Sequence, residues 1–178
     1  MKTFGAITKV AKDLTSCSLT LENGLAEISA PLKNTARIRL TTASTFETYR
    51  SYAIEDYTSK PEKISVINKK ESCTIKTEQL QLKINADSFS IDLLNADNVL
   101  LSKGAPVEFD PDSITDIRIP FKSEDYFGLG ERVTPLGRRG YKSVNWNSDI
   151  ARHHNETQES MYISIPFMIS LNPETGKA

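Results

Sequence analysis

Ser72-Cys73-Thr74-Ile75-Lys76-Thr77-Glu78-Gln79-Leu80-Gln81-Leu82-Lys83-Ile84-Asn85-Ala86-Asp87-Ser88-Phe89-Ser90-Ile91-Asp92-Leu93-Leu94-Asn95 is the stretch that decides the fold. Cys73 and Ile75 alternate with polar residues, then Leu80, Leu82 and Ile84, then Phe89, Ile91 and Leu93. This is the period of two that places one side of a strand indoors and the other in water. Asn85-Ala86-Asp87-Ser88 and Asn95-Ala96-Asp97-Asn98 have the composition of turns, so the segment reads as a meander of short antiparallel strands.

Working outward, Thr15 to Leu21 repeats the pattern, with Cys17, Leu19 and Leu21 on one side. Asn23-Gly24 then reads as a turn, followed by strands from Leu25 to Ala30 and from Ala36 to Thr42. Residues 44 to 70 are rich in Thr, Tyr and Ser, and only Ile64-Ser65-Val66 alternates, as an edge strand would. Ile114 to Ile119 reads as a further strand, ended by Pro120. The most apolar run, Met161 to Leu171, is expected to be buried. Asn172-Pro173-Glu174-Thr175-Gly176 has turn composition with no returning strand, as in a chain cut from something longer. No window of twelve residues keeps the i, i+3, i+4, i+7 spacing of a helix. The expected class is all-β, an antiparallel sandwich in a single domain over residues 1–178.

Composition narrows the partners. Twenty-two basic against 23 acidic residues leave a net charge of −1, without the basic footprint of a nucleic-acid binder. The sequence holds neither a signal-peptide run nor an apolar stretch long enough for a bilayer, so no membrane association and a cytoplasmic location are expected. Cys17 and Cys73, without CxxC spacing, read as reduced core thiols.

The residues from Tyr126 to Asp149 hold four of the eight glycines and the only tryptophan. Gly128-Leu129-Gly130 lacks the third glycine of a dinucleotide fingerprint, where Val133 stands, and no helix follows. Gly137-Arg138-Arg139-Gly140 reads as an exposed loop with solvated charges rather than a phosphate cradle. The adjacent His153 and His154 make a poor metal pair, but an imidazole beside Asp149 can hydrogen-bond a sugar hydroxyl. Asn155-Glu156-Thr157 spells a glycosylation acceptor, which carries no meaning without secretion. No nucleophile elbow or triad is present, and the carboxylate pairs Asp110 with Asp112 and Glu124 with Asp125 read as solvated turn residues. No catalytic residue, cofactor or metal is expected in this chain.

Four linked motifs, Phe127-Gly128-Leu129-Gly130-Glu131, Arg139-Gly140, Trp146-Asn147-Ser148-Asp149 and Tyr162-Ile163-Ser164-Ile165-Pro166-Phe167, resemble the N-terminal domain of glycoside hydrolase family 31, which includes α-glucosidases and α-xylosidases. The resemblance implies a galactose-mutarotase-like supersandwich ahead of a (β/α)₈ barrel that follows Ala178 and carries both catalytic aspartates of a retaining hydrolase. The implied partners are that barrel and an oligosaccharide substrate. Asp149 stands where the family's Trp-Asn-x-Asp aspartate approaches the sugar on the leaving-group side, and it is the one substrate-binding residue expected here. Trp146 is expected as a buried anchor for its loop, which the glycines and Arg139 shape. Ile150-Ala151-Arg152-His153-His154 replaces the aromatic segment that follows this aspartate in many relatives. The alternative is a free-standing carbohydrate-binding module with Tyr49, Tyr52 and Tyr57 as a sugar platform; a mutarotase in its own right would need separated catalytic histidines that this chain lacks.

Overall fold

The computed structural model describes residues 1–48, 61–150 and 154–172. Among them there is no helix, and every strand pairing is antiparallel. Two compact units are present, Met1–Ile119 and Pro120–Ala178. The first is a sandwich of two sheets with a small third sheet; the second carries the glycine-rich motifs on a two-stranded sheet.

In chain order the strands of the first unit are β1 (Lys2–Thr3), β2 (Ile7–Lys12), β3 (Ser16–Leu21), β4 (Gly24–Leu32), β5 (Thr35–Thr41), β6 (Ser65–Asn68), β7 (Ser72–Lys76), β8 (Leu80–Asn85), β9 (Ile91–Asn95), β10 (Leu100–Gly104), β11 (Glu108–Phe109), β12 (Ile114–Thr115) and β13 (Arg118–Ile119). β2-β3-β4-β5 form one sheet in sequence order, and β13-β10-β9-β8-β7-β6 form the other. Neighbours in sequence are neighbours in space, which is what short turns between antiparallel strands produce.

The alternation read from the sequence becomes the core. Cys17, Leu19, Leu21, Ala26 and Ile28 from the four-stranded sheet meet Cys73, Ile75, Leu82, Ile84 and Ile91 from the six-stranded one, all buried. Phe4, Phe89 and Val107 complete the cluster. Ring centroids lie 6.0 Å apart for Phe4 and Phe89 and 4.9 Å for Phe4 and Phe109, both pairs tilted, the arrangement that the ring quadrupoles favour. A fully buried phenylalanine such as Phe89 contributes about 2–3 kcal/mol of apolar transfer free energy.

The turns were placed well but not perfectly by composition. The β3–β4 turn consists of Glu22 and Asn23, and Gly24 is already paired with Leu21. Gly24 has φ +153°, and a Cβ there would run into the Thr41 carbonyl and the Phe4 ring, so its role is close approach rather than turning. Phe89 is not a strand residue. It lies in the β8–β9 turn at φ +46°, where the Asn85 side chain accepts from the backbone N–H groups of Asp87 at 2.9 Å and Ser88 at 3.0 Å; the ring is still fully buried. The expected strand Ile114 to Ile119 is two short strands in different sheets: β12 pairs with β11, and β13 pairs with β10. Of Ile64-Ser65-Val66, Ser65 and Val66 lie in the edge strand β6, which runs on to Asn68. Cys17 and Cys73 are free and buried. Within the run from Ser44 to Lys70, the tyrosines Tyr49, Tyr52 and Tyr57, with the rest of residues 49–60, lie outside the described residues.

Candidate functional site

The second unit is assembled from two motif segments lying side by side. β14 (Asp125–Gly128) pairs with β15 (Met168–Leu171), and the backbones stay together past the end of the ladder: the Leu129 N–H donates to the Phe167 carbonyl at 2.8 Å and the Glu131 N–H to the Ile163 carbonyl at 3.1 Å. The chain manages this with three consecutive left-handed residues, Gly128 at φ +104°, Leu129 at +68° and Gly130 at +77°. A Cβ on Gly128 would lie 2.5 Å from the Phe167 carbonyl oxygen, and one on Gly130 2.5 Å from that of Ile163. The glycines therefore allow contact between two backbones, which explains why the Phe-Gly-Leu-Gly-Glu and Tyr-Ile-Ser-Ile-Pro-Phe motifs occur together.

Two polar side chains hold this arrangement. Glu124 is only 4% exposed. Its Oε2 accepts from the Phe121 N–H at 2.9 Å and from the Tyr126 hydroxyl at 2.8 Å, and its Oε1 accepts from the Ser170 hydroxyl. Burial alone would disfavour the ionised carboxyl, but the bonds from Ser170, Phe121 and Tyr126, with the Arg139 charge nearby, outweigh it and hold Glu124 below the usual carboxylate range. The reciprocal effect pushes the Tyr126 phenol up to about 12, through burial, its bond to Glu124 and the negative charge it faces. Arg138 is the second clasp. Its Nε donates to the Gly128 carbonyl at 3.0 Å, and its Nη1 to the Thr134 carbonyl at 3.2 Å and the Pro135 carbonyl at 2.8 Å.

These residues correct the reading of the sequence. Glu124 is not a solvated turn acid, and the Gly137–Gly140 arginines are not arranged around an anion; Arg139 is exposed as expected, whereas Arg138 is half-buried. Arg138 turns onto carbonyls of its own loop, and Arg139 donates to the Glu124 and Phe121 carbonyls. Arg139 does shape the region, but Arg138 makes the direct bond to the motif glycine. The sequence signal for Arg138 was only its place between two glycines; for Glu124 there was none.

The Trp-Asn-Ser-Asp loop runs beside residues 159–164. The Val144 N–H donates to the Glu159 carbonyl at 2.8 Å and the Ser148 N–H to the Met161 carbonyl at 3.0 Å. Asn147 Oδ1 accepts from the Ser164 N–H at 2.9 Å, the Tyr162 hydroxyl donates to the Ile150 carbonyl at 3.0 Å, and the Ser148 and Ser160 hydroxyls lie 3.0 Å apart. Arg132 reaches the near end of the loop through Asn145 Oδ1 at 2.9 Å.

Asp149 thus lies between two tethered neighbours, Ser148 and Ile150, and is itself exposed. Among the described residues its carboxylate is not used in any hydrogen bond, cap or ion pair. A carboxylate held this way can accept two or more hydroxyl bonds from one ligand. His154 is exposed and packs edge-on against Tyr162, with centroids 5.9 Å apart; His153 lies outside the described residues.

Trp146 is not the buried anchor expected of it: it is 73% exposed, and backbone and polar side-chain hydrogen bonds hold the loop. The expected burial of the 161–171 run also fails. Met161 is buried, but Tyr162, Ile163, Ile165, Phe167, Met168 and Ile169 are all exposed. Among the described residues no cluster of His, Cys, Asp or Glu could hold a metal, and no helix is long and apolar enough to cross a membrane. On the first unit, a shallow cavity of about 390 Å³ on the six-stranded sheet is lined by polar residues including Lys83, Asp92 and Lys103, with no aromatic ring.

A family model described as the glycosyl hydrolase 31 N-terminal galactose mutarotase-like domain matches residues 25–178. Similar solved structures include a GH31 dextranase from Flavobacterium johnsoniae complexed with isomaltotriose, with TM-score 0.82 at 24% identity over 96% of this chain and 22% of that one. The cycloalternan-forming enzyme of Listeria monocytogenes in complex with a pentasaccharide substrate follows at TM-score 0.76 and 19% identity, over 94% of this chain and 16% of that one. A GH31 alpha-xylosidase from a soil metagenome complexed with xylose gives TM-score 0.65 at 17% identity, over 92% and 26%. These likenesses are of fold, and the chain spans about a fifth of the dextranase's length. No curated protein matches the sequence.

Proposed function

Because this chain belongs to the glycosyl hydrolase 31 N-terminal galactose mutarotase-like domains, we propose that it is the substrate-site-completing and structural domain of a retaining α-glycosidase, spanning residues 1–178 and inactive alone. Hydrolysis takes place on a catalytic barrel beyond Ala178, and this chain supplies a binding carboxylate. The single observation that carries the reading is Asp149: an exposed carboxylate with no hydrogen-bond or ion-pair partner among the described residues, on a backbone tethered at Ser148 and Ile150. The substrate is an α-linked oligosaccharide of glucose or a related sugar, the class to which the relatives' isomaltotriose belongs. Charge-assisted bonds from sugar hydroxyls to Asp149 orient the substrate while leaving bond cleavage to other groups.

The exposed apolar side chains of the second unit fit the same reading. Trp146, Ile163, Ile165 and Phe167 make a surface that water disfavours and a barrel would cover. The two free thiols are consistent with a reducing, cytoplasmic setting.

The test uses the longer polypeptide that contains this chain. Asp149→Ala is expected to lower kcat/KM for short α-linked oligosaccharides by about 10- to 100-fold, the loss of one or two charge-assisted hydrogen bonds. Unchanged kcat and KM would exclude substrate contact.

The exposure of Trp146 favours a second reading, a free-standing carbohydrate-binding module, since an open indole is a ready surface for sugar stacking. The other platform candidates, Tyr49, Tyr52 and Tyr57, lie outside the described residues. Calorimetric titration of the isolated chain with maltose and isomaltose separates the two: saturable heat supports the module, and its absence supports the half-site.

A further inference from the structure

Among the described residues, the loop from Val144 to Ile150 is fastened from two directions. On one side residues 159–164 hold it: Glu159, Ser160, Met161, Tyr162 and Ser164 bond to Val144, Ser148, Asn147 and Ile150. On the other side the attachment is Arg132. Its Nη2 donates to Asn145 Oδ1 at 2.9 Å and to the Val144 carbonyl at 3.3 Å, while its Nη1 donates to the Glu131 carbonyl. One guanidinium therefore joins the end of the Phe-Gly-Leu-Gly-Glu motif to the Trp-Asn-Ser-Asp loop.

This attachment closes a ring. The Glu131 N–H donates to the Ile163 carbonyl at 3.1 Å, and the N–H of the next residue, Ser164, donates to Asn147 Oδ1 at 2.9 Å. The loop, the 159–164 segment and the Glu131–Arg132 corner are thus each bonded to the other two. A loop fastened along one side can pivot about that side, and an attachment from a second direction removes the pivot.

Charge does not explain an arginine here. Among the described residues Arg132 makes no ion pair, and its Nε is buried without a hydrogen-bond partner. Burial, and then the Arg138 charge, push its guanidinium below the ordinary value. An unpaired interior donor and a disfavoured cation both count against the residue. What arginine has and lysine lacks is a planar fork, whose Nη atoms here reach the oxygens of Glu131, Val144 and Asn145 in fixed directions.

We propose that Arg132 is the positioning residue for Asp149: its fork fixes the loop at Val144 and Asn145 and so sets where the carboxylate meets a sugar hydroxyl. Arg132 acts through the loop and makes no substrate contact of its own. The proposal rests on the reading of Asp149 as a substrate-binding group.

The test measures kcat, KM and melting temperature of the longer polypeptide on short α-linked oligosaccharides. Arg132→Lys, Arg132→Gln and Asn145→Ala are each made alone and together with Asp149→Ala. Arg132→Lys keeps the charge and loses the fork, and is expected to lower kcat/KM by about 5- to 10-fold, with Arg132→Gln at least as damaging. Asn145→Ala, at an exposed position, removes one acceptor of the fork and is expected to cost about 3-fold; it keeps the test open should the arginine variants fail to fold. With Asp149→Ala already present, each of these losses should shrink to less than about 2-fold, because no carboxylate is left to misplace. Equal losses in the two backgrounds would mean general structural support and overturn the proposal. Full activity in Arg132→Lys with a loss in Arg132→Gln would assign the effect to charge and overturn it too, as would full activity in both Arg132→Lys and Asn145→Ala. If Asp149→Ala alone costs activity while the other variants do not, only the role of Arg132 falls; if Asp149→Ala leaves kcat and KM unchanged, the substrate contact falls and the role of Arg132 with it.

Discussion

The first unit closes a core of apolar side chains, and the second leaves most of its own exposed. Phe4, Leu19, Ile28, Ile75, Ile84 and Phe89 are all under 2% exposed in the first, whereas in the second Phe167 is 62% and Ile163 55% exposed. The cohesion of the two also differs in kind. Alternating side chains hold the first together, and any comparable apolar residue would serve nearly as well. The second is held by backbone pairs that only glycine permits and by the Glu124 and Arg138 clasps. A region built this way keeps a precise shape while leaving its apolar surface available for another body.

The comparison can be broken from the core outward. Phe89→Ala should cost about 3–5 kcal/mol in denaturant titration, as a cavity in the core cluster demands. A loss below 1 kcal/mol would mean that the first unit is not held by its core. Gly130→Ala should cost about 2–3 kcal/mol, since the methyl both strains a left-handed residue and meets the Ile163 carbonyl. Its effect should appear as lost hydrogen-exchange protection at Leu129 and Glu131, with the sandwich amides unchanged.

A pH titration sharpens the contrast further. Glu124 has a folded value below its ordinary one, so its contribution is present above the ordinary carboxylate pKa and fades as the pH falls through the folded value. The second unit should lose amide protection at acid pH before the first, and Glu124→Gln should flatten that limb. Tyr126, raised to about 12, has the opposite sign: its contribution holds below pH 10 and is lost between about 10 and 12. The smallest effect belongs to Trp146→Ala, within about 0.5 kcal/mol in the isolated chain because the indole is exposed. A cost above 1 kcal/mol would restore Trp146 as an anchor.

How much could be read in advance follows the same division. β3, β4, β5, β7 and β8 were legible because each buries one face against a facing sheet, and burial leaves the period of two in the sequence. β2 was not, since a register shift between Ile7 and Lys9 breaks its alternation. The two-residue strands β12 and β13 are too short to carry any period. In the second unit almost nothing is periodic. Glu124 resembled any turn carboxylate until its three donors were located, and the 161–171 run looked buried because apolarity in a sequence does not say whether the covering surface lies within the same chain. Asp149 was legible only through its motif; its freedom from other bonds was not.

The central claim is that the second unit offers a shaped, uncovered surface to the rest of a longer glycosidase. Hydroxyl-radical footprinting of Trp146, Tyr162, Ile163 and Phe167, in the isolated chain and in the longer polypeptide, tests it most directly. The account predicts strong labelling of the isolated chain and several-fold protection in the longer one, with Phe4 and Phe89 weakly labelled in both. Equal labelling of Trp146 and Phe167 in the two would contradict it.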